Sequence, residues 1–321
     1  MFDAQAVHDG LPYDRLIPAL IQAHQRDVDA VQSVLMEQPA SGPGVDHFLT
    51  LPAWQRGRAF GAKLVSVFPG NDKAGQGLPA IQGVYVLFDG QNGRPSAVID
   101  GTALTLRKTA ADSGAGAHFL APENPASMLM VGAGALAPHL IAAHIAARPS
   151  ITDVAIWNRT PARAERLAAS LDLPGRRVDA TADLEGAARG ADVISCATMA
   201  DEPLILGAWL KPGAHLDLVG SYTDAMHECD EEAVRRARVF TDSPWSALKD
   251  SGEIVSALAS GALRRDRIEA DLFAFARGQH AGRGAADAIT LFKNGGGGHL
   301  DLMVAQILAA GGGIDPETGS G

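Results

Sequence analysis

The segment "SMLMVGAGALAPHLIAAHIAA" (residues 127–147) decides the fold, because it joins an apolar strand to an alanine-rich helix through a glycine turn. Gly132, Gly134 and Ala137 have the spacing G-x-G-x-x-A. The first glycine allows a tight turn, the second lets a pyrophosphate approach the backbone, and the alanine permits close packing of the helix on the strand. Free N–H groups at the helix N-terminus favour a bound phosphate. The segment therefore predicts a dinucleotide-binding turn.

From this strand–helix unit onward, short apolar strands alternate with helical patterns. The predicted strands are 127–131, 154–157, 176–179, 192–197, 214–219 and 238–241. Such alternation is typical of an α/β fold with a doubly wound parallel sheet. After residue 289 the sequence changes to a glycine run followed by one more helix.

The N-terminal third has a different pattern. Residues 13–36 predict one helix, with Leu16, Leu20, Val28, Val31 and Leu35 as its inward stripe. A loop at 38–44 precedes three predicted strands at 46–53, 60–68 and 82–89, and the last begins a hairpin that turns at 89–94. A helix then starts between residues 102 and 105 and runs to about 120. We expect a second, α+β domain here.

Composition excludes several classes of protein. The 321 residues include 37 acidic and 27 basic ones, for a formal charge of −10, so we expect no nucleic-acid or anionic-membrane surface. Cys196 and Cys229 form no CxxC pair, which indicates a reducing cytoplasm and no metal site. Neither a targeting segment nor an apolar run of membrane-spanning length is present, so we expect a soluble cytoplasmic protein.

The tripeptide Asn158-Arg159-Thr160, after the second strand of the predicted sheet, bears on cofactor choice. Sites that prefer NAD usually carry Asp or Glu here to accept from the ribose 2′-OH. Without a carboxylate a 2′-phosphate is not repelled, and Arg159 can pair with it. The sequence therefore predicts NADP(H) as the preferred cofactor, with NAD(H) as the alternative. Thr160 and Pro161 also fit the cap of the following helix.

Two groups of cations lie outside this region. Arg107 and Lys108 fall in or near the first turn of a predicted helix, where with Thr109 they either form an anion site or point into water. Lys63 is the one charge in the apolar strand "FGAKLVSVF" (residues 60–68). An unpaired buried ammonium is costly, so Lys63 needs a protein carboxylate, a route to solvent, or a ligand carboxylate.

Seven segments, spread over nearly the whole chain, are specific enough to indicate a family. They are "LPAW" (51–54), "GAKLVSVFPGN" (61–71), "GLPAIQGVYVLFDGQNGRPSAVIDGTALTLRKTAA" (77–111), "VGAGALAPHL" (131–140), "IWNRT" (156–160), "LDLVGSYTDAMHECD" (216–230) and "LFKNGGGGHLDL" (291–302). Together they resemble the ornithine cyclodeaminase/μ-crystallin family. The sequences of residues 157–165 and 218–230 are similar to those of the family branch that reduces Δ1-pyrroline-2-carboxylate or Δ1-piperideine-2-carboxylate. The resemblance implies a homodimer, a Rossmann domain over 122–290, a substrate-binding and dimerisation domain made of 1–121 with 291–321, and a ligand cleft between the two domains.

The resemblance also implies roles for particular residues. Lys63 holds the substrate carboxylate, Arg107 lies where cofactor phosphates and substrate meet, and these two are the expected catalytic residues. His47 and Tyr222 are the further expected substrate contacts. The expected cofactor contacts are Arg107, Thr109, Gly132, Gly134, Ala135, Asn158, Arg159, Thr160, Thr198, Val219, Ser221 and Asn294, the last at the position of a family serine. On this basis the counter-ion of Lys63 arrives with the substrate, and Asp301 caps or braces the last helix.

Departures from the family pattern bear on the reaction. Cyclodeaminases carry carboxylates where this chain has Tyr222 and Thr50, and a diamino acid needs such a group for its second ammonium. The expected activity is therefore NADPH-dependent reduction of a cyclic ketimine carboxylate to L-proline or L-pipecolate. The alternatives are ornithine cyclodeaminase, with Asp224 or Glu228 as the carboxylate, alanine-dehydrogenase-like reductive amination, and a non-catalytic NADP-dependent ligand binder. The family's additional upstream arginine is missing, and His47 is the expected substitute.

Overall fold

The computed structural model divides into two compact units, Met1–Thr109 with Gly297–Gly321, and Ala110–Gly296. It describes residues 1–40, 44–71, 78–243, 245 and 251–311. Residues 312–321 therefore lie outside the described residues, as does part of the loop predicted at 38–44.

The strands, in chain order, are β1 (Ala30–Val31), β2 (Val34–Pro39), β3 (Val45–Gln55), β4 (Ala59–Val67), β5 (Ile81–Asp89), β6 (Pro95–Asp100), β7 (Ser127–Val131), β8 (Asp153–Trp157), β9 (Arg177–Ala180), β10 (Val193–Cys196), β11 (His215–Leu218), β12 (Arg238–Thr241), β13 (Ile268–Asp271) and β14 (Thr290–Lys293). The α-helices are α1 (Ala4–Gly10), α2 (Tyr13–Ala23), α3 (Gly101–Leu120), α4 (Ala137–Ala147), α5 (Pro161–Ser170), α6 (Leu184–Gly190), α7 (Glu231–Arg236), α8 (Gly252–Ser260), α9 (Leu272–Ala276) and α10 (Gly298–Ala309). No helix among these residues is both long and apolar enough to cross a bilayer.

The first unit contains an antiparallel sheet in the order β1-β3-β4-β5-β6, with β2 also paired to β3. Helix α10 packs on β3, β4 and β5 through side chains that include the fully buried Leu300, Leu302 and Val304. The strands predicted at 46–53, 60–68 and 82–89 are confirmed, as is the hairpin. Its turn is held by Asp89, whose carboxylate accepts hydrogen bonds from the N–H groups of Gln91 and Asn92.

The single helix predicted over 13–36 is wrong beyond Ala23. Leu16 and Leu20 are buried on α2 as expected, but residues 34–39 form β2 and pair antiparallel with β3. Leu35, predicted to face inward, is 56% exposed. The backbone hydrogen bonds of this segment are made to a strand that follows it, which the helical spacing of its apolar residues does not reveal.

The second unit contains an eight-stranded parallel sheet in the order β13-β12-β14-β11-β10-β7-β8-β9. Strands β9-β8-β7-β10-β11 have the 3-2-1-4-5 order of a dinucleotide-binding fold, with the switch point between β7 and β10. The predicted α/β class is confirmed, but β13 and β14 are additional. The predicted domain limit at 290/291 falls inside β14, whereas the two units divide at 109/110 and 296/297.

Candidate active site

The glycine turn follows β7 at the switch point of the parallel sheet. Gly132 has φ +109°, and a Cβ there would lie 2.6 Å from the carbonyl oxygen of Ala197, so only glycine fits. Gly134 and Ala135 are exposed, and a Cβ on Gly134 would meet no atom within 4 Å. The turn is thus close to the sheet at its first glycine and open at its second, which fits the pyrophosphate of a dinucleotide.

The end of β8 is tied to this turn by Asn158. Its Oδ1 accepts a hydrogen bond from Ala133 N at 3.1 Å, and its Nδ2 donates to the carbonyl of Thr160 at 3.0 Å. Arg159 is exposed, and its guanidinium makes no hydrogen bond or ion pair to any residue that the structure describes. Thr160 is the N-cap residue of α5 with Pro161 after it, as predicted, although its side chain makes no capping hydrogen bond.

The segments that follow β10 and β11 are joined by the buried carboxylate of Glu228. One oxygen accepts from the N–H and the hydroxyl of Thr198 at 2.7 and 2.9 Å, and the other accepts from Val219 N and Gly220 N at 3.1 and 2.6 Å. Both oxygens are therefore used within the protein. Glu228 is not available as the carboxylate that a cyclodeaminase would need.

A buried cation, Lys293, lies at the end of β14. Lys293 is fully buried, donates to the carbonyl and hydroxyl of Ser221 at 2.9 and 2.8 Å, and lies 3.2 Å from Glu253. The next residue, Asn294, donates from Nδ2 to the Ser113 hydroxyl at 3.0 Å. Four of the predicted cofactor contacts, Thr198, Val219, Ser221 and Asn294, thus follow the carboxyl ends of neighbouring parallel strands.

Helix α3 begins earlier than predicted. The Asp100 carboxylate accepts from Ala103 N at 2.7 Å, so the helix starts at Gly101. Arg107 and Lys108 then lie beyond the first turn, where backbone N–H groups are already bonded within the helix, and Thr109 is half-buried further along. The predicted anion site at a helix N-terminus is wrong for this reason.

The two adjacent cations of α3 have different surroundings. Arg107 donates from Nε to His8 at 3.0 Å, and its guanidinium lies over the Tyr13 ring. Lys108 is buried, and its Nζ lies 3.9 Å from Asp301. The structure places Lys108, rather than the predicted Arg107, near Asp301, the carboxylate that also pairs with Lys63 on β4. The sequence feature that could have indicated Lys108 is its spacing, because Lys108 follows Thr105 by three positions and the two share a helix face.

Lys63, on β4, is paired with a protein carboxylate. Its Nζ lies 2.9 and 3.1 Å from the two oxygens of Asp301 on α10, and donates a longer bond to Thr105 at 3.4 Å. Burial lowers the pKa of Lys63 below its ordinary value, Asp301 opposes that shift, and Lys108 adds to it. The prediction that its counter-ion arrives with the substrate is wrong. Lys63, Lys108 and Asp301 instead form a buried cluster with a formal charge of +1.

The two remaining predicted substrate contacts are His47 and Tyr222, and each has its own local surroundings. His47 pairs with Glu37 at 3.1 Å. It lies four positions along β3 from Leu51, the residue opposite Lys63, which is about 13 Å at about 3.3 Å per residue. Tyr222 is 59% exposed, and its hydroxyl contacts Met199. His47 does not join the lysine cluster.

The model of the ornithine cyclodeaminase/mu-crystallin family matches residues 15–309. The chain belongs to the ornithine cyclodeaminase/mu-crystallin family. Within this family, a Δ1-pyrroline-2-carboxylate reductase of Paracoccus denitrificans is 40% identical over 293 residues, which cover 91% of this chain and 90% of that protein.

Further members of the family show the same likeness. The ketimine reductase mu-crystallin of Rattus norvegicus is 34% identical over 261 residues, covering 80% of this chain and 78% of the relative. The structure of Thermococcus litoralis Δ1-pyrroline-2-carboxylate reductase, in complex with NADH and L-proline, matches with a TM-score of 0.86 and 25% identity, covering 97% of this chain and 96% of that one. These likenesses confirm the family and fold expected from the sequence.

Proposed function

We propose that this protein reduces a cyclic ketimine carboxylate, Δ1-pyrroline-2-carboxylate or Δ1-piperideine-2-carboxylate, to L-proline or L-pipecolate. One observation carries the proposal: the buried cluster of Lys63, Lys108 and Asp301 holds one more formal positive charge than negative charge. A substrate with a single carboxylate neutralises that excess. The names of the relatives, reductases of this imine and of ketimines, support the same chemistry.

The cluster also explains how two lysines are tolerated in an apolar setting. Asp301 compensates one ammonium, and the substrate carboxylate compensates the other, so that no charge stays unpaired in the complex. Asp301 holds the Lys63 ammonium in place, and Thr105 accepts from it on α3. Two cations on one carboxylate hold the substrate in one orientation, and this fixes which face of the imine C2 can receive the hydride.

The turn at Gly132 and Gly134 and the side chain of Asn158 are the residues that would hold a nicotinamide dinucleotide. Such a cofactor, when bound, supplies the hydride that reduces C2. We propose that NADP(H) is preferred, because no carboxylate follows β8 and the exposed Arg159 offers a charge-assisted contact for a 2′-phosphate. NAD(H), which the Thermococcus litoralis relative binds as NADH, is the alternative.

We also propose a cytoplasmic homodimer. Strand β2 and the neighbouring β3 expose Val34, Leu35, Met36 and Phe48, each by more than 40% of its surface. Val34, Met36 and Phe48 share one face of the sheet, since Met36 lies opposite Phe48, and an exposed apolar patch of this kind is typical of a protein–protein interface. Cys196 and Cys229 are both free thiols, which suits a reducing compartment.

The experiment measures oxidation of NADPH and NADH with the two cyclic ketimines, with pyruvate plus ammonia, and ammonia release from ornithine. We expect turnover of a ketimine with NADPH as the better cofactor. Ammonia release from ornithine without net NADH turnover would instead identify a cyclodeaminase. Ammonia-dependent turnover of pyruvate would identify reductive amination. The absence of turnover with all of these substrates would indicate a non-catalytic ligand-binding protein.

A further inference from the structure

We infer that Glu228 is a positioning residue that shapes the nicotinamide half of the dinucleotide site. This inference rests on the proposed function, since it assumes that the protein binds a nicotinamide dinucleotide. Glu228 would not touch the cofactor. It would act through the backbone of Thr198, Val219 and Gly220.

The contacts of Glu228 are unusually complete for a buried side chain. Its carboxylate is 0% exposed and accepts three backbone N–H bonds and one hydroxyl bond, at 2.6 to 3.1 Å. Two of these donors belong to Thr198, which follows β10, and two belong to residues that follow β11. One side chain therefore fixes the ends of two adjacent parallel strands relative to each other.

Gly220 shows how closely these two segments approach. A Cβ at this position would lie 1.9 Å from the Thr198 carbonyl oxygen and 2.5 Å from Glu228 Oε1. The backbone at Gly220, after β11, thus packs directly on the backbone at Thr198, after β10, and the Glu228 carboxylate lies between the N–H groups of the two segments. Any change in the acceptors at position 228 must move one segment or leave a buried N–H without a partner.

The position of these segments in the sheet gives the contact its function. Dinucleotides bind outside the carboxyl ends of the strands, with one mononucleotide on each half of a doubly wound sheet. Strands β7, β8 and β9 form the half that carries the glycine turn and Arg159. Strands β10 and β11 begin the other half, so Glu228 shapes the part that receives the nicotinamide end.

The charge state of Glu228 is set by its surroundings. Burial raises the pKa of its carboxyl to about 7, with Lys293 lowering it and Glu253 raising it. The thiols of Cys196 and Cys229 are the other titratable groups that interact with it, and burial keeps their pKa values well above the ordinary range. Protonation of Glu228 turns an acceptor into a donor, which weakens its hold on the strand ends.

The test compares binding of NADH and ADP-ribose, by titration calorimetry, to the wild type and to Glu228→Gln. Neither ligand carries a 2′-phosphate, and they differ only in the nicotinamide. An amide keeps one acceptor oxygen but presents N–H groups to two donors. We therefore expect NADH to bind about tenfold or more weakly, the loss typical of one or two buried hydrogen bonds. ADP-ribose should change by less than about threefold.

Asp230→Asn is the matched control. Asp230 also accepts two backbone N–H bonds, from Gly207 and Ala233, but it does so at the start of α7. Both bonds end on Oδ1, which asparagine keeps, so we expect this acid-to-amide change to leave the ratio of NADH to ADP-ribose affinity unchanged. A second readout needs no variant: wild-type affinity for NADH should fall below pH 7, while that for ADP-ribose should not.

Two results would overturn the inference: equal NADH affinity in the wild type and Glu228→Gln, or an equal loss of NADH and ADP-ribose binding, which is what a general role in folding predicts. A wild type that binds NADH but reduces no imine overturns the proposed reaction and leaves the inference standing. A wild type that binds no dinucleotide overturns both.

Discussion

Replacing Lys63 by methionine should destabilise the protein by an amount that follows from the buried cluster. Methionine has a similar length and fills the space, so the change removes mainly the charge. At an effective dielectric of about 20, the attraction to Asp301 is about 6 kcal/mol for Lys63 at 2.9 Å and about 4 kcal/mol for Lys108 at 3.9 Å. Removing one partner of a buried pair costs about 3–5 kcal/mol, and Lys108 remains to compensate Asp301. We therefore expect a loss of about 3 kcal/mol.

The assay is urea unfolding followed by circular dichroism at pH 7.5. Lys63→Met combined with Lys108→Met and Asp301→Asn should recover most of the lost stability, because all three charges of the buried cluster are then replaced by neutral groups. The triple variant should not recover imine binding, which separates the structural from the functional effect. Lys211→Met is the control, since Lys211 pairs with Asp192 at 2.6 Å with both side chains about one quarter to one third exposed, and it should cost less than about 1 kcal/mol. A Lys63→Met protein as stable as the wild type would show that the pair with Asp301 is not formed.

Three further predictions concern other parts of the molecule. Arg159→Ala should raise KM for NADPH by about tenfold or more and leave KM for NADH unchanged, because a charge-assisted bond is worth about 1.5–3 kcal/mol; equal effects on both cofactors would contradict the proposed phosphate contact. Because the pKa of Glu228 is raised, the folded state keeps a proton between pH 4.5 and 7 that the unfolded state has lost. The free energy of unfolding should therefore fall as the pH rises from 4.5 to 7, by up to about 3 kcal/mol. Glu228→Gln should abolish that slope in a series of urea titrations. Met36→Asp should convert the dimer to a monomer in analytical ultracentrifugation, and a monomeric wild type would refute the proposed interface.

The parts of the fold that sequence predicted are those fixed locally. The turn at Gly132 depends on a few consecutive residues and the strand and helix that flank them, so its pattern is complete in one segment. The hairpin turn around Asp89 is local in the same way. The helix predicted to continue past Ala23 failed because β2 is defined by a partner strand rather than by its own spacing. Strand β14 was missed because a glycine run follows it almost directly, so the strand–helix alternation that marks the other strands is interrupted there.

The site was only partly predictable, for a similar reason. Lys63 stood out as a charge in an apolar strand, but its partner Asp301 is 238 residues away and could not be paired with it from the pattern. Lys108 was passed over for Arg107 because the spacing shows only that Lys108 shares a helix face with Thr105, whereas the packing of α3 decides which face meets Asp301. Glu228 was considered only as a substrate carboxylate, since its backbone partners are set by the packing of two strand ends.

The most direct test of the central claim compares two imines that differ by one carboxylate. The claim is that Lys63 and Lys108 bind the carboxylate of a cyclic imine that the protein reduces. We expect kcat/KM with NADPH to be at least about a hundredfold higher for Δ1-pyrroline-2-carboxylate than for Δ1-pyrroline, given about 1.5–3 kcal/mol for each charged contact. In Lys63→Met most of this preference should disappear. A wild type that reduces both imines equally well would contradict the claim.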